Sequence, residues 1–185
     1  MSATTTTSRL TTYDDYRHLP DDGKQHQIIE GELYMTPAPT TVHQRVLLNL
    51  FRLIDPFVND NRSGEILIAP IDVILSMTNV VQPDLVYVAQ ERLNIITKKN
   101  IVDAPDFIVE VLSENTETID RQKKMALYEK HKVKEYWIVD PSEKTIEQFV
   151  LKENSFHLRA TISGNQNFSS VVLEKLTLAA DDIFG

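Results

Sequence analysis

Apolar and polar positions along this chain follow two rhythms, and the rhythm changes several times. In "TTVHQRVLLNLFRLIDPFVND", residues 40–60, Val42, Val46, Leu47, Leu50 and Leu53 recur at helical spacing. That pattern predicts an amphipathic helix packed on a sheet. A second helix is predicted over "TETIDRQKKMALYEKHKV", and a short one over "TTYDDYRHLP", capped by Thr11 or Thr12 and stopped before Pro20. Strand-like stretches lie between them. "HQIIEGELYMTP" alternates around Gly31 and reads as a strand pair or a bent strand. "GEILIAPIDVILS" and "DLVYVAQ" follow, divided by a turn near Met77–Asn79.

"ERLNIITKKNIVDAP" is a polar connection with room for a helical turn. Then come the apolar runs 106–112 and "EYWIVDP", on either side of the second helix. A strand–helix–strand succession of that length favours a parallel crossover. The remainder, "TIEQFVLKENSFHLRATIS" and "FSSVVLEKLTLAADDIF", reads as hairpins with a short segment docking back. The class is α/β with a mixed central sheet flanked by helices, plus C-terminal hairpins. Residues 1–9 read as a loose Thr- and Ser-rich arm, and 10–185 as one domain.

Two letters break the apolar runs. Glu110 sits inside "DFIVEVLSEN", and Asp84 opens the run in "VQPDLVYV". Burying an unpaired carboxylate costs roughly several kcal/mol, so each needs a partner. Three answers stay open: a backbone amide or a Lys/Arg at a strand end, a buried ion pair without catalytic purpose, or a divalent cation. Two oxygen ligands on adjacent strands, with a main-chain carbonyl and waters, suit Mg²⁺ or Mn²⁺. Asp120, Lys124 and Tyr128 follow at i, i+4, i+8, close to one helix face. Turned toward the acids, Lys124 can orient a water and stabilise developing negative charge. Turned outward, Asp120 and Lys124 are an ordinary surface pair and Tyr128 is core.

These segments together resemble a known group. "PD" at 83–84, "EVLS" at 110–113, the Asp120–Lys124–Tyr128 helix, "EYWIVDP" at 135–141 and "EGELYMTPAPTTVHQRV" at 30–46 are similar to the Uma-type bacterial family. That family is placed in the PD-(D/E)XK restriction-endonuclease-like superfamily, and the likeness spans roughly residues 12–183. It implies a restriction-endonuclease-like core and metal-dependent hydrolysis of phosphodiester bonds in nucleic acid, with DNA as the expected substrate. Asp84 and Glu110 would then be metal ligands, with Val111 offering its carbonyl. Lys124 would take the place of the superfamily lysine, whose position two residues after the acid is Leu112 here.

Four secondary residues accompany this set. Glu32 either reaches the metal or is a strand-edge charge. His43 contacts phosphate or assists protonation, or else is structural. Asp72 resembles a recurrent acid of the family and either supplements the metal shell or faces solvent. Tyr128 can bond near the site while its ring packs. Trp137, Ile138 and Val139 read as scaffold.

Composition bounds the reading. No apolar run approaches the roughly 18–20 residues that cross a bilayer, and "MSATTTTSRL" has no signal-type apolar stretch. With no cysteine, disulfides and thiolate metal sites are excluded, and a cytoplasmic protein without a membrane partner is expected. The net charge of −8 argues against a protein that coats nucleic acid electrostatically. A local basic run at 120–135, with Lys98 and Lys99, is either a phosphate seat or a solvated face. A homodimer is the expected assembly. The competing readings are a nucleic-acid- or protein-binding module on the same fold, and a dimeric structural protein whose strand acids are satisfied across the interface.

Overall fold

A computed structural model describes residues 11–20, 24–113 and 117–185, so the arm expected over 1–9 lies outside the described residues. Helix α1 (Tyr13–Tyr16) begins at Thr12, which forms a reciprocal capping box with Asp15. Strands β1 (Gln25–Ile29) and β2 (Glu32–Thr36) form the strand pair read from "HQIIEGELYMTP". Glu30 and Gly31, at φ 52° and 78°, make its two-residue turn, a conformation that Gly31 adopts without strain.

Helix α2 (Thr41–Asn61) is capped by the Thr40 side chain. Its buried stripe is His43, Val46, Leu47, Leu50, Ile54 and Val58. Val42 is therefore not part of the apolar seam as expected; at 51% exposure it faces away, one residue off the stripe. Leu50, Ile54 and Val58 are fully covered, each worth about 1.5–3 kcal/mol relative to exposure.

The rest of the chain is mainly strand. In order come β3 (Gly64–Ile68), β4 (Val73–Ser76), β5 (Asn79–Val81), β6 (Leu85–Ala89), a 3₁₀ turn (Gln90–Ile95), β7 (Ile101–Val102) and β8 (Phe107–Val111). A π-helical turn (Ile119–Lys124) runs directly into α3 (Met125–Lys130), followed by β9 (Glu135–Asp140). The chain ends with β10 (Thr145–Lys152), β11 (Ser155–Ser163), β12 (Asn167–Ser169), β13 (Thr177–Ala179) and α4 (Ala180–Phe184).

The strands form a central sheet in the order β11-β10-β9-β8-β6-β3, a second sheet β2-β1-β5-β4-β7, and the pair β12-β13. In the central sheet β8 and β9 run parallel across the π turn and α3, as the crossover rule requires, and the other neighbours are antiparallel. The mixed sheet of the expected α/β class is thus present. "GEILIAPIDVILS" differs from expectation. It breaks after Ile68, and its halves join different sheets, β3 beside β6 and β4 beside β5. β5 and the two-residue β7 carry too few residues for a periodic signal to develop.

Alternation along β8 divides the core. Phe107, Val109 and Val111 pack with α2, Trp137 and Val139 on one face. Ile108 and Leu112 pack on the other with Leu127, Tyr128, Tyr136 and the second sheet. Glu110 therefore points into the second layer, toward the crossover helix.

Candidate active site

β6 and β8 pair antiparallel with Leu85 opposite Val109. Continuing that register by one step sets Asp84 opposite Glu110, at the end of the paired strands. Asp84 is held there twice through one oxygen. Its Oδ2 accepts from the Val111 amide at 2.8 Å and lies 3.1 Å from His43 Nε2. Its own carbonyl accepts from the Ala69 amide at 2.9 Å.

Glu110 is 2% exposed. Its Oε1 accepts from Lys124 Nζ at 3.0 Å and from the Tyr128 hydroxyl at 2.7 Å. Lys124, itself buried, also lies 2.9 Å from Asp120 Oδ1. The helix face read from the i, i+4, i+8 spacing points inward. The carboxylates therefore have protein partners already: an ammonium and a phenol for Glu110, an amide and an imidazole for Asp84. Of the three answers open from the sequence, a lysine for Glu110 and a backbone amide for Asp84 are thus in place, and a divalent cation is compatible with both.

Loss of hydration pushes the Glu110 carboxyl up to about 8; Lys124 opposes this, and the charges of Asp120 and Asp84 add to it. Burial disfavours the charged Lys124, but Glu110, Asp120 and Asp84 outweigh it and hold the ammonium charged well above its ordinary range. For His43 burial lowers the pKa, yet the bond to Asp84, that residue's charge and the Val111 backbone together leave it raised. The Tyr128 phenol is raised by burial and by Glu110, so it remains a donor.

These groups line one cleft of about 730 Å³, whose walls include His43, Asp84, Glu110, Val111, Asp120 and Lys124. Most of its other lining is neutral, with Gln25, Gln44, Gln82, Ser113 and a proline-rich rim at Pro37–Pro39. Among the described residues no three His, Cys, Asp or Glu side chains are spaced to hold a cation by themselves. A two-carboxylate set completed by a main-chain carbonyl and water remains, which is a donor set of hard oxygens that suits Mg²⁺ or Mn²⁺. The contacts above fall on Asp84 Oδ2 and Glu110 Oε1, leaving Oδ1 and Oε2 for a ligand. With all groups ionised, Asp84, Glu110 and Asp120 face the Lys124 ammonium and the His43 imidazolium, an excess of one negative charge that a cation would offset.

Two secondary candidates lie elsewhere. Glu32 is exposed and pairs with Lys123 Nζ at 3.1 Å and with Tyr34, clasping β2 to the π turn. Asp72 accepts from the Tyr16 hydroxyl and from Gln82, each at 2.8 Å, and ties α1 to the loop before β6. Neither lines the cleft. The basic run is consumed in part, while Lys98, Lys99, Lys130 and Lys132 stay exposed. Arg121 pairs with Glu117 and Glu147, Lys123 with Glu32, and Lys134 with Asp106. Position 112 holds a buried leucine in the second core layer.

Two acids had no site role in the sequence reading, although Asp120 was named there on the face it shares with Lys124 and Tyr128. Asp120 was a helix-face residue without a role, and its 2% exposure makes it part of the cleft floor. Glu135 read only as part of the charge run. It is fully buried and accepts from Trp137 Nε1, the Ser170 hydroxyl and the Val171 and Val172 amides, fastening the C-terminal segment to the central sheet. No periodic signal distinguishes such an acid from a strand-end charge.

Known proteins share this arrangement of elements. A crystal structure of "a putative nuclease belonging to DUF820 from Anabaena variabilis ATCC 29413" superimposes with a TM-score of 0.79 at 20% identity, covering 94% of this chain and 97% of that one. That likeness shows the fold. "Uncharacterized protein sll1609" of Synechocystis sp. (strain ATCC 27184 / PCC 6803 / Kazusa) is 26% identical over 142 residues, 76% of this chain and 80% of its own length. Residues 13–181 match the Uma2 family, described as "Putative restriction endonuclease", and the chain belongs to that family.

Proposed function

We propose that the protein is a metal-dependent nuclease that hydrolyses phosphodiester bonds, with DNA as substrate and Mg²⁺ or Mn²⁺ as cofactor. Asp84, Glu110 and the Val111 carbonyl would hold the ion, which supplies Lewis-acid polarisation of a phosphate oxygen and charge against the developing negative charge. The observation that carries the reading is the Lys124 ammonium, 3.0 Å from Glu110 on the floor of the cleft although position 112 is leucine. Lys124 stays charged, so it acts as a donor to the phosphate or to the attacking water. Tyr128 holds Glu110 in place, and His43 with the Val111 amide holds Asp84, so that each acid keeps one oxygen toward the cleft. A homodimer would present two such centres to the two strands of a duplex, and light scattering measures that state.

The test is cleavage of supercoiled, linear, single-stranded and RNA substrates with Mg²⁺ or Mn²⁺. Wild type should cut at least one form, and Glu110→Ala should lose at least about a hundredfold, the scale of removing one preorganised catalytic group. Equal slow degradation by both would sink the reading.

One observation favours a second reading, a catalytically weak or inactive binding module on this fold. Arg121, Lys123, Lys124 and Lys134 of the basic run are engaged in internal pairs, and the cleft walls are mostly neutral. That reading predicts binding of nucleic acid or protein that is unchanged by Glu110→Ala, with no cleavage by wild type.

A further inference from the structure

We propose that Asp120, an acid outside the metal-binding pair, is a positioning residue that divides the Lys124 ammonium and aims its remaining N–H into the cleft. This rests on the nuclease reading only for its consequence on rate. An ammonium has three donors. In Lys124 one is donated to Glu110 Oε1 at 3.0 Å, while Asp120 Oδ1 lies 2.9 Å from the same nitrogen as an ion pair, and both Lys124 and Asp120 line the cleft. Without Asp120 the flexible lysine stem would let the ammonium settle wholly on Glu110. Both Glu110 oxygens would then face Lys124, and the oxygen kept for a ligand would be lost. With Asp120 the charge is shared and Glu110 Oε2 stays available.

The backbone around Asp120 is built to hold this geometry. The Met125 amide reaches back to the Asp120 carbonyl, an i to i−5 bond that makes this turn π-helical. The same carbonyl accepts from the hydroxyl of Tyr136, a fully buried residue of β9, at 3.2 Å. Such turns widen a helix locally and are frequent at functional sites. Here it fixes Asp120 and Lys124, both nearly inaccessible, side by side against β8.

Asp120→Asn and Asp120→Glu test this against wild type, with three measurements. In nuclease assays Asp120→Asn should lower kcat tenfold or more with KM within twofold, and Asp120→Glu should restore part of the loss. Magnesium or manganese titration should give a Kd at least tenfold weaker in Asp120→Asn, where the ammonium covers Glu110, and a smaller loss in Asp120→Asn/Lys124→Met, where no ammonium is left to cover it; a Kd unchanged in Asp120→Asn, or weakened equally in both variants, would overturn the proposal. The third measurement does not need activity. In ¹⁵N-lysine-labelled protein, a slowly exchanging ammonium resonance that disappears in Lys124→Met should be present in wild type and lost in Asp120→Asn. Its absence from wild type, or its persistence in Asp120→Asn, overturns the positioning role. Failure of wild type to cut any substrate removes the nuclease reading instead, and the resonance still decides whether Asp120 holds Lys124.

Discussion

Glu110 combines burial, a phenol and an ammonium on one oxygen, and so its protonation is linked to stability. Its folded-state pKa of about 8 lies above its ordinary 4.5. Below about pH 4.5 the carboxyl is protonated in both states and its stabilisation is fully present. Between about 4.5 and 8 the unfolded chain releases the proton while the folded protein retains it, so stability falls as pH rises. The loss is of order a few kcal/mol, at up to about 1.4 kcal/mol per pH unit. His43, also raised, adds a loss of the same sign as pH climbs through its folded value, and Lys124 contributes only above its ordinary 10.5. The comparison that isolates Glu110 is therefore wild type against Glu110→Gln, by metal-free urea denaturation from pH 5 to 8. The wild type should lose more stability across that window, and parallel curves would show that Glu110 carries no shifted proton. The strand acids were visible in the sequence because a charge interrupts an apolar run. Lys124 and His43 were candidates too, but which acid each meets was not legible, since they stand 14 and 41 residues away from Glu110 and Asp84 and only packing selects the pairing.

At the scale of elements, long periodic segments were readable and short ones were not. α2 shows its buried stripe over 21 residues, and β8 and β9 announce themselves as apolar runs bounded by polar turns. The break between β3 and β4 was signalled only by Pro70, which has no amide to give a ladder, because both halves are equally apolar. One element is unusually intolerant. A side chain at Gly64, the first residue of β3, would place its Cβ 2.1 Å from the Val88 carbonyl oxygen and 2.8 Å from the Tyr87 ring. Backbone cannot yield as a side-chain tip can. Gly64→Ala should thus destabilise by more than about 3 kcal/mol or prevent β3 from pairing with β6, as read by thermal unfolding and amide exchange of residues 85–89. A change below about 1 kcal/mol would mean that the edge strand shifts freely.

For the whole molecule, two layers meet at the site: α2 supplies His43 from one face of the central sheet, and the crossover helix supplies Asp120, Lys124 and Tyr128 from the other. Metal binding to such a preformed site favours the folded state by mass action, about 2.7 kcal/mol at a hundredfold excess over Kd. The melting temperature should rise with Mg²⁺ or Mn²⁺ in wild type and stay flat in Asp84→Asn; an equal rise in both would place the ion elsewhere. The charge of −8 acts at this scale too, drawing cations in and keeping polyanions at a distance, so any nucleic-acid complex should be weak without metal.

Among the described residues no helix is long and apolar enough to cross a membrane, in line with the lack of a long apolar run in the sequence. The sequence by itself determined the α/β class, the helix seam, the parallel crossover and the family, because hydrophobic period and ordered motifs are local properties written along the chain. Tertiary structure alone decided that Glu32 and Asp72 stand apart from the cleft, that Arg121, Lys123 and Lys134 are spent on internal pairs, and that Asp120 joins the buried cluster. Those outcomes depend on which distant charges come within about 3 Å, a distance set by how layers stack and not by spacing along the chain.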